Sequence, residues 1–377
     1  MFQNKTIFVK CIKFMLGAFI FSMFPGCVST SKIPAKPLSL ESGLVSESDY
    51  IEIVYEDGVF SYVSYLKTED LREDLRAGLR KEPCDEAGQN QSTYSLGIWI
   101  WDYRGIVGNE KDVIERLLKR NIKRIYIQIG RDIEVLKPFL KEAKARGFTI
   151  FALDGSPEYI DNHQGLIDNL NRLKEFNKIN KAAGFDGFQI DVEPYLKKDF
   201  NLKKEYYLRM YISMAMELKH LAGEDLKISL VLPFWYDKFI IDGKRFSSQI
   251  IDIADEIVLM SYRTDYDEIV ESARNELCYA GNINKPVFLG IEINRIPYEE
   301  HFIIDKRDIV RLAGVSGDKL ILQKNPEGLP VFRRYEVDPG RITFYEKRDS
   351  LQSIINRRVP YNSFSGYIIH SYGDFFE

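Results

Sequence analysis

From about residue 96 the chain repeats one phrase: a short run of β-branched and aromatic residues, a polar turn, then an amphipathic stretch at helical spacing. Eight such runs read as strands, at residues 96–102, 124–129, 148–154, 187–193, 227–233, 256–262, 287–293 and 366–372. Stretches such as 110–121 and 133–147 lie between them with apolar residues on one helical face, the second ending at Gly147. Strands that alternate with helices make parallel sheets, and eight such units close into a (β/α)8 TIM barrel, an α/β fold. An open doubly wound sheet is the runner-up, but no glycine-rich phosphate loop follows the first strand.

Two regions fall outside the repeat. Residues 27–48 read as a linker and 49–95 as an N-terminal extension: a hairpin turning at Asp57-Gly58, then a charged helix over 66–81. Within the barrel segment, 96–377, residues 294–345 read as an insertion, with 318–337 as a second hairpin closed around Asn325 and Gly328. The 377 residues are 45% hydrophobic and 29% charged, enough apolar material for a large core. A net charge of -4 with scattered Lys and Arg gives no basic footprint, which argues against a nucleic-acid partner.

Residues 1–26 read as a targeting segment. Lys5, Lys10 and Lys13 precede an apolar run from Phe14 to Phe24 that is too short to span a bilayer, and Gly26 then precedes Cys27. This resembles a bacterial lipoprotein signal, which implies a lipidated Cys27, a membrane partner through that anchor, and an exported protein at the outer membrane or cell surface. Cys11 lies in the signal, so Cys84 and Cys278 form the only possible disulfide, and no zinc-ligand pattern is present.

In a barrel of this kind the C-terminal strand ends form the site. Here they carry Trp101-Asp102, Gln128, Asp154, Asp191 and Glu193, Trp235-Tyr236-Asp237, Tyr262-Arg263, Glu292, and His370 with Tyr372. Gln189, Asp191 and Glu193 share one face of the fourth strand, a polar row where branched apolar layers normally fill a barrel. The bland readings are helix capping for Asp102 and Asp154, core packing for Trp99 and Trp101, and a satisfied structural histidine for His370.

The stretch Asp186–Glu193 resembles the fourth-strand signature of the chitinase-like glycoside hydrolases of family eighteen, Asp-Gly-x-Asp-x-Asp-x-Glu, and Met260 with Tyr262 resembles that family's sixth-strand Met-x-Tyr. The runs IWIWD, FALDGSPEY, LPFWYD, MSYR and FSGYIIHSYGDF further resemble a bacterial group of glycoside-hydrolase-like barrels of unassigned substrate. Two positions depart from the chitinase pattern: Gln189 replaces a carboxylate, and His370 stands where a substrate-floor tryptophan is expected. The resemblance implies a carbohydrate substrate, with Glu193 as proton donor and Asp191 and Tyr262 holding an N-acetyl group as internal nucleophile. A second scheme pairs Glu193 as acid/base with Glu292 as enzymic nucleophile, Gly290 leaving room below it. Trp101, Trp235 and Tyr236 offer flat faces to a sugar ring, while Asp102, Asp154, Gln189, Arg263, His370 and Tyr372 complete the expected substrate-binding set.

The rival from another class is a non-catalytic carbohydrate-binding or structural lipoprotein. A metal-dependent hydrolase is disfavoured, since His163, His220, His301 and His370 form no close ligand pair; no metal or cofactor is expected. Metabolic palmitate labelling tests the anchor: the label is expected to disappear in Cys27→Ala, and unchanged labelling refutes the lipoprotein reading.

Overall fold

The computed structural model of the chain describes residues 37–73, 94–323 and 328–376. The signal segment, Cys27, Cys84, most of the linker, the second half of the charged helix and the turn at Asn325 lie outside the described residues. The chain divides into two units, one drawn from Met1–Leu79, Pro194–Tyr207 and Ile296–Pro339, the other from Arg80–Glu193, Leu208–Arg295 and Gly340–Glu377.

The larger unit is the barrel. Its strands are β1 (Ser95–Ile100), β2 (Ile122–Gln128), β3 (Thr149–Asp154), β4 (Gly187–Ile190), β5 (Lys227–Pro233), β6 (Glu256–Met260), β7 (Val287–Glu292) and β8 (Phe364–His370). They are parallel and close in chain order, β8 pairing β1 through Ile369 and Ile98. Each expected strand is present, but β1, β4, β6 and β8 stop two or three residues early, so Asp191, Glu193 and Tyr262 lie just beyond the strand ends. The intervening helices bury the stripe that their spacing predicts: Val113, Ile114 and Leu117 in Glu110–Lys119, and Phe139, Leu140 and Ala143 in Lys137–Ala145. Cys278 is buried and disulfide-bonded.

The barrel interior is polar in layers. Near the strand starts Arg124 of β2 reaches across to Glu256 of β6, its Nε donates to Tyr126 Oη at 2.7 Å, and Tyr126 Oη donates to Glu256 at 2.8 Å. The guanidinium lies 4.7 Å from the Phe151 ring and 4.4 Å from that of Phe288. One level higher, Trp99 Nε1 of β1 donates to Gln189 Oε1 of β4 at 2.6 Å, and Gln189 Nε2 donates to Ser229 Oγ of β5 at 3.0 Å. Bonds between strands three or four places apart in the ring can only cross the lumen, so these side chains fill it.

The smaller unit corrects the two-part reading of the flanking regions. The N-terminal strands Tyr50–Glu56 and Val59–Leu66, joined at Asp57-Gly58 as expected, share a four-stranded antiparallel sheet with Glu299–Asp305 and Val331–Val337. Residues 318–337 do not form a hairpin. Lys319–Leu322 pairs instead with Leu38–Glu41 and Gly314–Ser316, while Val331–Val337 pairs with Glu299–Asp305. The physical reason is period-two burial: Ile51, Ile53 and Tyr55 need Phe302 and Ile304 beside them to complete one apolar face. The opposite face carries His301, bonded on both ring nitrogens to Glu52 and Glu299 at 3.0 Å.

Removing one member of a buried ion pair strands the other charge in the core. Glu256→Ala is therefore expected to lose about 3–5 kcal/mol of unfolding free energy in urea titrations. Arg124→Met/Glu256→Leu is expected to lose much less, and equal losses for the two variants would refute the pairing.

Candidate active site

The polar groups that the barrel leaves at its C-terminal end come from β1, β4, β6, β7 and β8. Asp191 follows β4, and its backbone N–H donates to the Asp154 carbonyl at 3.0 Å, an extension of the β3–β4 ladder by one bond. That approach requires Gly155: a Cβ there would lie 1.9 Å from the Asp191 carbonyl oxygen. Asp191 Oδ1 is buried and meets no hydrogen-bond donor. Burial pushes the Asp191 carboxyl up to about 7, against the opposing pull of the His370 charge. Glu193, two residues on, is 3% exposed. Tyr211, from the helix Lys204–Ala222, and Tyr236 both feel the charges of Asp191 and Glu193; burial first raises both phenols, followed by those carboxylates for Tyr211 and by Tyr211 and then the carboxylates for Tyr236.

His370 ends β8. Its Nδ1 lies 2.7 Å from Glu292 Oε2 of β7 and 3.1 Å from Asn294 Nδ2, while the Asn294 backbone N–H donates to Glu292 Oε1 at 2.7 Å. The imidazole stacks on Tyr262 with centroids 5.9 Å apart and planes at 24°, and meets Trp99 and Trp101 edge-on at 5.7 and 6.4 Å. Asp191, Glu193, Tyr262, Trp101, Glu292 and His370 thus all lie at the ends of barrel strands.

Glu292 itself has no accessible surface, and each of its oxygens holds a donor or ring nitrogen of this cluster. Against the expectation of Glu292 as an exposed nucleophile, its carboxylate is buried and engaged by Asn294 and His370. Gly290 does leave room, but Trp99 fills it: a Cβ at 290 would lie 3.0 Å from the indole. Gln189 is likewise no substrate contact. It is fully buried, and both ends of its amide are engaged by Trp99 and Ser229, an arrangement that needs one acceptor and one donor on the same side chain.

Other expected contacts serve local structure. Asp154 accepts from Gly155 N–H at 2.8 Å, from Tyr159 Oη at 3.0 Å and from Asn169, and burial raises its carboxyl above the ordinary range. Asp102 caps the turn Tyr103–Gly105 and forks to Arg104 at 2.7 Å, bonds that hold its carboxyl low. Arg263 lies 4.5 Å over the Phe234 ring, donates to the Tyr262 carbonyl at 2.8 Å, and is lowered to about 10 by burial. Tyr372 belongs to the terminal helix Tyr372–Phe376, within reach of the charges of Arg116 and Asp112. Trp235 and Tyr236 are buried and pack edge to face at 4.8 Å. Among the described residues, no three His, Cys, Asp or Glu side chains gather as metal ligands.

The sequence reading missed Asn294 and Tyr211. Asn294 continues the alternation of Gly290 and Glu292 past the strand end, so phase alone marks it; Tyr211 sits in a helix whose sequence carries no such mark.

No family model matches the chain, and no curated protein matches it. Among solved structures it is similar to a class V chitinase from Pseudomonas fluorescens, at 10% identity over 74% of this chain and 96% of that one, TM-score 0.41. It is also similar to the spore cortex-lytic enzyme SleL of Bacillus cereus (8% identity, 75% and 72% coverage, TM-score 0.42). A chitinase from Bacteroides thetaiotaomicron gives 12% identity, 75% and 91% coverage, and a TM-score of 0.40. At such identities the likeness is one of fold.

Proposed function

We propose that this chain is a glycoside hydrolase, anchored at the cell envelope through Cys27, in which Glu193 is the proton donor and Asp191 the group that supports positive charge. The observation that carries the reading is Asp191 Oδ1: a buried oxygen with no donor, two residues before a buried glutamate, suits a polar group that arrives with a ligand. Burial of such a group costs stability unless something bound returns a hydrogen bond.

The sequence resemblance supplies the scheme that fits these positions. Glu193 gives its proton to the glycosidic oxygen as the C1–O bond breaks. The carbonyl oxygen of the sugar's own 2-acetamido group bonds to C1, and its N–H, now part of a cation, donates to Asp191. Water then opens this ring at C1 and returns a proton to Glu193. Tyr262 borders the same space. Because Glu292 is buried and engaged by His370 and Asn294, the internal nucleophile is favoured over an enzymic one.

A second reading, sugar binding without turnover, is favoured by Gln189. A neutral amide tied to Trp99 and Ser229 gives Asp191 no acidic neighbour to exchange a proton with.

Three measurements test the enzymatic reading. On aryl glycosides bearing a 2-acetamido group, Glu193→Gln is expected to lower kcat by roughly 10²–10⁴-fold with an unchanged melting transition. The corresponding 2-hydroxy glycosides are expected to be inert; cleavage of them would favour an enzymic nucleophile, and binding with no cleavage of either would favour the second reading. The pH dependence follows from Asp191. Its anion is the working form, so activity is expected to rise with pH through about 7. Its raised carboxyl also makes the folded state lose stability as pH climbs from the unfolded value near 3.8 to about 7, with no further loss above that. Asp191→Asn should therefore raise Tm more at pH 8 than at pH 4, and an equal effect at both would contradict the burial argument.

A further inference from the structure

Away from the barrel, the smaller unit buries a row of two acids and a histidine that the proposed reaction does not use. In its four-stranded sheet Glu299–Asp305 is an inner strand, paired with Tyr50–Glu56 on one side and Val331–Val337 on the other. His301 and Glu299 of that strand have no accessible surface, and Glu52 of its neighbour is buried too. The imidazole Nδ1 lies 3.0 Å from Glu52 Oε1, and Nε2 lies 3.0 Å from Glu299 Oε2. Tyr335, opposite His301 in the ladder, fixes the ring plane by stacking on it, with centroids 4.3 Å apart and planes at 14°. Its Oη donates to the same Glu52 oxygen at 2.6 Å.

This geometry sets a minimum proton count. A carboxylate oxygen and a bare ring nitrogen are both acceptors, so each of the two contacts must contain a proton, whichever atom carries it. A neutral imidazole has one N–H and fills only one contact. The row therefore keeps both contacts only while it holds at least two protons, either as an imidazolium between two carboxylates or as an imidazole beside one neutral acid. With two protons it carries a single net negative charge. With one, two lone pairs face each other at hydrogen-bond distance and a second negative charge appears in the core. The Glu52 side keeps its proton, because the Tyr335 hydroxyl already favours the anion there.

We propose that the proton between His301 Nε2 and Glu299 is a pH-sensitive latch of the smaller unit: while it is held, the inner strand stays locked to its neighbours, and its loss loosens the sheet. The latch does not rest on the proposed function. Burial opposes the charge on His301, but the bonds to Glu299 and Glu52 outweigh it and raise the imidazole to about 9. Burial, partly offset by the His301 bond, raises Glu299 to about 7. A histidine raised in this way gives stability that is fully present below its ordinary 6.5 and is lost as pH rises through about 9. Glu299 loses its own share in the same direction but is done by about 7, so the interval above that belongs to the shared proton. The other groups that face the row are Glu56, Tyr62 of Val59–Leu66, and Tyr335, whose ring has the Arg333 guanidinium 5.5 Å away. Burial, and then the neighbouring carboxylates, raise both phenols well above their ordinary value, so neither titrates in this interval.

Hydrogen exchange read by mass spectrometry on the intact protein tests the latch, with rates corrected for the intrinsic pH dependence of exchange. Protection of peptides from 50–66, 299–305 and 331–337 is expected to fall about tenfold per pH unit between about 7 and about 9, one proton leaving with each opening, and then to level off. Barrel peptides from 122–128 and 149–154 are expected to keep theirs. In Glu299→Gln the amide accepts from Nε2–H or donates to the bare nitrogen, so the contact no longer needs the second proton, and the fall should end at least one pH unit lower. Flat protection in the parent, or a fall in Glu299→Gln that still runs to about 9, would overturn the proposal. Should Glu299→Gln fail to fold, Glu52→Gln serves in its place: the imidazolium loses a counter-ion, and the fall should again end about one pH unit lower, a tenfold change in the ionisation constant. An end point that stays where it was would count equally against the latch.

Discussion

The interior of this barrel is a stack of polar side chains that must satisfy one another, because they are buried or nearly so. Arg124, Tyr126 and Glu256 close the lowest level, and Trp99, Gln189 and Ser229 the next. Glu292, His370 and Asn294 bind one another at the top. Each level draws on strands distant in sequence, so a closed ring is the only arrangement in which these bonds can form. Unpartnered, any of these groups would cost more than a surface ion pair returns.

Against that background Asp191 stands out. It belongs to the same inward row as Gln189, yet where Gln189 finds both a donor and an acceptor, Asp191 Oδ1 finds neither. The chain reaches this position through a tight contact, Gly155 against the Asp191 backbone, that no residue with a side chain could make. A scaffold that satisfies its lower polar levels and leaves a carboxylate oxygen without a donor at the strand ends has placed its electrostatic strain where a ligand can relieve it.

The legibility of the site followed the distance over which each residue acts. The phase of Asp191 and Glu193 was readable because alternation is local. The roles of Gln189 and Glu292 were not, since the first depends on Trp99, 90 residues away, and the second on His370, 78 residues away. Carboxylates at strand tips look alike in one dimension. Asp102 and Asp154 proved to be tied to Arg104 and to Tyr159 and Asn169, partners two to fifteen residues along the chain, as the capping reading anticipated for the first. The flanking segments show the same limit: strands near residues 50 and 300 carry matching apolar faces, but nothing local says that they pair with each other.

By itself, then, the sequence determined the repeating unit, the ring of eight strands, and the polar row on the fourth, because hydrophobic periodicity and side-chain alternation are properties of neighbouring residues. Only the tertiary structure decided which polar groups are spent on one another and which are left short of a partner, because closure brings together side chains whose separation along the chain carries no information about their contact.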